Sequence, residues 1–356
     1  MEHTKLPLQF TGKTREFFGI WIVNVLLIVV TLGLYSPWAK VRSRRYFYGN
    51  TVLDNSAFDY TADPIAILKG YLIALLLLFI YSIAIQFFPA VQFIFILIFL
   101  GVMPWLVVRS MIFRAANSVY RNIRFTFGKN YRQAFTVFAG LPMLLPLTLG
   151  LIMPYIVFRQ KQFLVNNSGF GTSPFLFHAR AREFYKVYAI ILLFMLIPII
   201  GIIAAIAIPA YHEYLATAAG KPFIKQAAGT PDMMTIILTQ VLTISFTVLV
   251  SLFFYAYIGS RINNLIWNNI EIASNRFSSS LRARDLLWLY FSNLLAIVFS
   301  FGLLIPWAKI RMARYRMGKL TMLATTSLTG FVKQEQENVG AAGEEIGELF
   351  DIDIGL

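Results

Sequence analysis

Long apolar runs alternate along this chain with short, strongly basic ones. Residues 71–108 and 189–210 carry no charged side chain at all. Runs of that length match the hydrocarbon thickness of a bilayer and predict membrane helices. Four long apolar segments are expected, at roughly 65–86, 91–108, 187–208 and 235–258. Three further apolar segments of about twenty residues each end in one recurring box: GLYSPWAKVRSRR at 33–45, a worn GLIMPYIVFRQKQF at 150–163, and GLLIPWAKIRMAR at 302–314. Each box follows the order glycine, proline, aromatic, basic cluster, set by Gly33, Pro37 and Trp38, then Gly150 and Pro154, then Gly302, Pro306 and Trp307.

Between the long runs lie short stretches of alternating character, such as IRFTFGK at 123–129. After the first two boxes come YFYGNTVLDNSAFDY and FLVNNSGFGTSPFLF, in which aromatic and β-branched residues flank an Asp-Asn or Asn-Asn-Ser-Gly turn. Such stretches predict β hairpins.

The pattern repeats. A shift of 117 residues, from Gly33 to Gly150, also lays Asn167 on Asn50 and Lys186 on Lys69, and the third box restores Trp307, Lys309, Arg311 and Arg314. RAANSVYRNIRF at 114–125 resembles RINNLIWNNIEI at 261–272. Fixed-period self-similarity marks a repeat architecture. The division expected is a unit at 1–113, a second at 114–260, a partial third at 261–334, and an acidic tail at 335–356.

Charge sets the expected topology. If all seven apolar segments span, the 31 Lys and Arg fall as 19 on one face and 12 on the other. If the three box-bearing segments dip in and return, the split is 29 against 2, the exceptions being Lys221 and Lys225. The positive-inside rule favours the second arrangement, with both termini cytoplasmic. Proline and glycine permit the break, and Asn24 and Asn293, at matching positions, are placed to satisfy freed backbone groups. The expected fold is therefore an all-α polytopic membrane protein: two full units and a truncated one, each with a Pro-broken re-entrant leading segment enclosed by the spans, plus small cytoplasmic β hairpins.

Composition agrees with a membrane protein. Hydrophobic residues make up 58% and charged ones 13%, against roughly 25% charged in soluble domains. The net charge is +14, but the last basic residue is Lys333, and seven acids follow it. The tail, with Ile346, Leu349, Phe350 and Ile352 on one side, is expected as a solvated end, or alternatively as a segment that folds back onto the basic body or docks a partner. The first residues, MEHTKLPLQFTGKTREFF, lack the order of a secretory signal, so the first apolar segment is expected to direct its own insertion.

Read on from that point, EFFGIWIVNVLLIVVTLGLYSPWAKVRSRRYFYGNT at 16–51, its echo at 285–315 and the closing GEEIGELFDIDIGL resemble the YjgN-like bacterial inner-membrane proteins. The likeness covers essentially the whole chain. It implies an integral protein of the bacterial inner membrane, and it brings no catalytic or ligand residues with it. The second box departs from the pattern at Tyr155 and Val157.

Candidate chemistry is sparse. No cysteine is present and only three histidines, none at ligand spacing, so no metal or cofactor site is expected. No nucleophile elbow, zinc-binding helix or phosphate loop occurs, which points away from an enzyme. The long spans hold no interior acid or histidine for proton coupling. Basic residues hug helix ends, the pattern of headgroup contact and not of a nucleic-acid module. One specific site is offered: Lys40, Arg42, Arg45, Arg159, Lys161, Lys309, Arg311 and Arg314 gathering on the cytoplasmic face to bind an anionic lipid headgroup or small anion. The function expected is a channel or transporter for a small neutral or anionic solute, or alternatively a structural, anionic-lipid-binding envelope protein. A polar cavity lined by Asn24 and Asn293 would favour transport, and an apolar centre the alternative.

Overall fold

The computed structural model describes residues 4–88, 91–218, 232–325 and 330–337. The chain begins with one extended segment, β1 (Thr4–Pro7) and β2 (Gln9–Phe10). A helical hairpin follows, α1 (Thr14–Val30) and α2 (Ser36–Gly49), then a β hairpin, β3 (Thr51–Leu53) and β4 (Ser56–Tyr60). The same alternation continues through α3 (Pro64–Phe87), α4 (Val91–Ala116), β5 (Ser118–Tyr120) and β6 (Ile123–Phe127). Next come α5 (Tyr131–Phe135), α6 (Met153–Asn166), β7 (Ser168–Phe170) and β8 (Ser173–Phe177). The series closes with α7 (Ala181–Ala218), α8 (Met233–Trp267), β9 (Ile270–Ile272), β10 (Asn275–Ser279), α9 (Ala283–Phe299), α10 (Ile305–Gly318) and β11 (Leu320–Ala324).

Each β hairpin is launched by a helix that ends on asparagine. Asn50, Asn117, Asn167 and Asn269 each turn a side-chain amide back to the carbonyl four residues earlier, at 2.7–2.8 Å. That bond satisfies one of the carbonyls a helix terminus leaves open. Two-residue turns then reverse the strands, with positive φ at Asp54-Asn55, Arg121-Asn122 and Ala273-Ser274, as a primed hairpin turn requires. In the second unit the turn lies at Gly171 and Thr172, not in the Asn-Asn-Ser-Gly stretch, because Asn167 is consumed in ending α6.

The hairpins do not stay separate. A two-stranded hairpin is marginal alone and leaves both edges open, and here every edge is paired with the next hairpin. Phe58 of β4 faces Tyr120 of β5, Phe125 of β6 faces Phe170 of β7, Phe175 of β8 faces Ile272 of β9, and Phe277 of β10 faces Met322 of β11. The first segment closes the circuit: Lys5 of β1 pairs with Leu323 of β11, while Gln9 of β2 pairs with Val52 of β3. Between them Leu8 donates its N–H to Leu320. The result is an eleven-stranded antiparallel sheet whose two ends are halves of one segment, a nearly closed ring. This overturns the all-α expectation with small hairpins: the short period-2 stretches build one continuous sheet.

Among the described residues, three helices are long and apolar enough to cross a membrane: α3, α4 and α8. The fourth expected span, at 187–208, falls in α7, many of whose side chains lie outside the described residues, as do His212, Glu213, Lys221 and Lys225. The first and third box-bearing segments form helical hairpins, and in the second the arm before α6 is the short α5 followed by a π turn at Thr136–Gly140 and a 3-10 turn at Pro142–Leu144. Asn24 reaches the Ala39 carbonyl at 3.4 Å and the Lys13 N–H donates to Tyr46 Oη at 2.8 Å, so α2 runs back beside α1. Proline does not stop these helices. Pro37, Pro154 and Pro306 stand in the first turn of the returning helix, where no donor is needed. The stop is a glycine at positive φ: Gly33, Gly150 and Gly302 each donate to the carbonyl five residues back, at 2.7–2.9 Å. Before each glycine stands a bulky residue at φ near +49°, Leu32, Leu149 or Phe301, exposed by 94%, 91% and 98%. The expected enclosure of these segments by the spans is therefore not found; the tips are bare of protein.

Candidate functional site: a chamber inside the ring

The ring has an interior. In each of the four β hairpins the second strand places phenylalanine at its third position, and these rings, Phe58, Phe125, Phe175 and Phe277, pack on a buried cluster of Leu8, Leu53, Tyr120, Phe170, Ile272 and Met322. Alternate strand residues point to one face, so the aromatic face of every hairpin turns inward. Phe58 and Tyr120 lie 4.6 Å apart between centroids, and Phe125 and Phe170 5.1 Å. Burial pushes the Tyr120 phenol up to about 12, and its hydroxyl donates to the Leu53 carbonyl at 2.8 Å.

These walls do not meet in the middle. They leave a chamber of about 450 Å³, with an adjoining one of about 450 Å³ that shares Leu8, Phe58, Phe125, Ser168, Trp267 and Leu320. That size falls in the range of small-molecule sites. The helices supply the remaining wall at regular spacing. Lys161, Leu164, Val165 and Ser168 form one stripe, and Asn263, Ile266, Trp267 and Ile270 a second. In the adjoining chamber the stripe is Met111, Arg114, Ala115 and Ser118. Offsets of three and four put Lys161, Leu164 and Val165, Asn263, Ile266 and Trp267, and Met111, Arg114 and Ala115 on one face of each helix. Ser168, Ile270 and Ser118 open the strands that follow. α4 and α8, two of the three candidate spans, therefore run directly into the chamber wall. With 35 residues, α8 is about 52 Å long, about 20 Å more than a ~30 Å hydrocarbon layer needs.

At the turn side of the ring the helical segment 330–337 acts as a floor. Phe331 lines the chamber and stacks near Phe170 at 6.1 Å, and Val332 is buried. Glu335, assigned by sequence to the solvated tail, is 3% exposed. Its carboxylate accepts from the Thr172 N–H at 2.8 Å, the Thr172 hydroxyl at 3.0 Å and the Ser173 hydroxyl at 2.5 Å. Burial works against its ionised form, but those donors outweigh it and hold the carboxyl below its ordinary value. Gln336 donates to the Arg121 carbonyl at 3.0 Å. Residues 338–356 of the tail lie outside the described residues.

Of the eight cations singled out by sequence, Lys161 alone lines either chamber. Burial lowers its pKa. Arg311 is held under its own helical hairpin, donating to Ser292 at 2.6 Å and Asn293 at 3.2 Å, with its guanidinium 5.0 Å over Trp307. Arg45 donates to the Tyr60 carbonyl and Arg314 to the Gly12 carbonyl. Arg159 lies over the Tyr155 ring at 6.0 Å, and Lys40, Arg42 and Lys309 are exposed. Burial, then Arg44 and Arg114, depress the Lys40 pKa. Asn24 and Asn293 are buried within their helical hairpins and face neither chamber; among the described residues Asn24 Oδ1 has no hydrogen-bond partner. The phenylalanine positions escaped the sequence reading, although aligning the hairpins on their turns places all four in register.

A family model described as a bacterial protein of unknown function (DUF898) matches residues 5–349. The chain belongs to the DUF898 family. Inner membrane protein YjgN of Salmonella typhimurium is 26% identical to it over 349 residues, with 85% of each chain covered. The proteins of the same name from two Escherichia coli strains are 25% and 26% identical over 144 residues, 40% of this chain and 36% of theirs. No solved structure matches. The resemblance read from the first box thus holds over nearly the whole chain, and this DUF898 protein is a membrane protein with relatives named for the inner membrane.

Proposed function

We propose that this protein lies in the bacterial inner membrane with its ring on the cytoplasmic side, and that the ring chamber holds the acyl chain of a membrane amphiphile without covalent chemistry on it. The observation that carries the reading is the chamber itself: an aromatic and aliphatic pocket that, with the adjoining one, is lined by the ends of two candidate spans. Apolar ligands are bound by burying apolar surface, at about 25 cal/mol per Å², and a wall of this composition gives a polar solute little to bond with. The 29-to-2 distribution of basic residues supports the orientation, and the exposed box cations are placed for anionic headgroups. A channel for small polar solutes fits less well, because Asn24 and Asn293 are enclosed within their helical hairpins.

The test is the lipid content of protein purified in mild detergent. Wild type should carry about one extractable acyl-chain amphiphile per chain beyond the exchangeable annulus. Ser168 lines both chambers, so Ser168→Phe fills the space and should remove that tightly held molecule while the protein stays folded. Equal content in a folded Ser168→Phe variant would refute the reading.

A further inference from the structure

We infer that the chamber's amphiphile is anionic, its head lying against Lys161 at the helix-facing mouth while its chain fills the aromatic ring. This rests on the acyl-chain reading and goes beyond it by naming the head.

Lys161 stands one helical turn from Leu164 and Val165 on the inward stripe of α6, and two turns from Ser168 at the sheet. Counted back from the asparagine that ends each helix, Lys161 and Asn263 hold the same place, six residues before Asn167 and Asn269. An ammonium and a carboxamide therefore sit at one level of the mouth, above a wall that is otherwise almost wholly apolar. Arg114 faces the adjoining chamber with Tyr48 and Ser118. Among the described residues, no aspartate or glutamate lines either space.

Two other cations at the ring are occupied. Arg44 donates to Tyr60 Oη at 2.8 Å, and Arg121 pairs with Asp54 at 2.8 Å. Lys161 makes no hydrogen bond or ion pair among the described residues. A partly buried ammonium at an apolar mouth loses hydration without recovering it from the protein. An anionic head restores that loss, whereas a zwitterionic head brings its own cation to compete. A fatty-acid carboxylate and a phospholipid phosphate offer the same chemistry.

The experiment is native mass spectrometry of the full chain, delipidated in detergent and titrated with a long-chain fatty acid, phosphatidylglycerol or phosphatidylcholine. Wild type should bind at least one anionic species about tenfold more tightly than phosphatidylcholine, the scale of one charge-assisted contact. Lys161→Gln should erase that preference, Lys161→Arg should keep it, and Ser168→Phe should abolish the Lys161-dependent adduct. Whichever anionic species binds at lower concentration identifies the source of the head. An anionic preference that survives Lys161→Gln overturns the inference while leaving acyl-chain binding intact. Adducts of every amphiphile that ignore Ser168→Phe overturn both, because binding would then lie outside the chamber.

Discussion

Replacing Phe17 by alanine is expected to destabilise the solubilised protein by about 3–5 kcal/mol, the usual cost of emptying a fully buried aromatic site. Phe17 has no exposed surface and sits among Tyr46 at 5.3 Å, Phe47 at 4.8 Å and Ile310. Those neighbours come from α2 and α10, so one ring fastens the first helical hairpin to the last. The same seam is closed in the sheet by residues 4–10. The effect should therefore exceed loss of packing alone: the tightly held amphiphile should be lost at temperatures where far-ultraviolet circular dichroism still reports folded helix. Thermal denaturation alongside lipid extraction reads both. Phe17→Leu, which keeps most of the volume, should recover most of each.

Glu335→Ala should act locally. Three donors lose a carboxylate acceptor at once, and bonds to a charged group contribute about 1.5–3 kcal/mol each before compensation by water. The segment 330–337 is held by this latch and by Phe331, Val332 and Gln336, so it should undock without unfolding the ring. Hydrogen exchange at the Thr172 amide is expected to accelerate about a hundredfold, with the β3–β4 amides unchanged. The pH dependence has a definite sign. A carboxyl whose folded pKa is depressed contributes stability that is present above its unfolded value of about 4.3 and lost as pH falls through the folded one. In wild type the floor should thus stay latched at neutral pH and loosen as pH falls below the ordinary glutamate range, and the alanine variant should lose that dependence.

What the sequence made legible follows from the length of each signal. The apolar runs are long enough to fix helices without tertiary knowledge, and Asp54-Asn55 announced its turn. The box was visible as a repeat, but its mechanics were misjudged. Glycine and proline together were taken for the break, whereas proline opens the returning helix, and the glycine behind Leu32, Leu149 or Phe301 alone makes the stop. The ring was hidden because strands of three to five residues fall below the window in which period-2 alternation can be counted, and their partners lie up to about 320 residues away, as Thr4 from Ala324. Lys161 was readable as a basic residue; that it faces a chamber depends on the stripe it shares with Leu164, Val165 and Ser168. Glu335 was read as solvated because acids crowd the tail after it, and only the hydroxyls of Thr172 and Ser173 show otherwise.

Chamber, latch and mouth all depend on closure of the ring by the N-terminal segment. Because the chain has no cysteine, one introduced pair reports on that closure without background. Lys5 and Leu323 are antiparallel partners across the seam, a separation that suits a disulfide. The double variant Lys5→Cys with Leu323→Cys should cross-link nearly completely in isolated membranes under mild oxidation, whereas Lys5→Cys with Val52→Cys should not, because Val52 pairs with Gln9. The closed ring predicts that pattern. Failure of the first pair to cross-link, or equal reaction of the second, would mean the segment does not bridge β11 and β3, and the chamber would have no wall on that side.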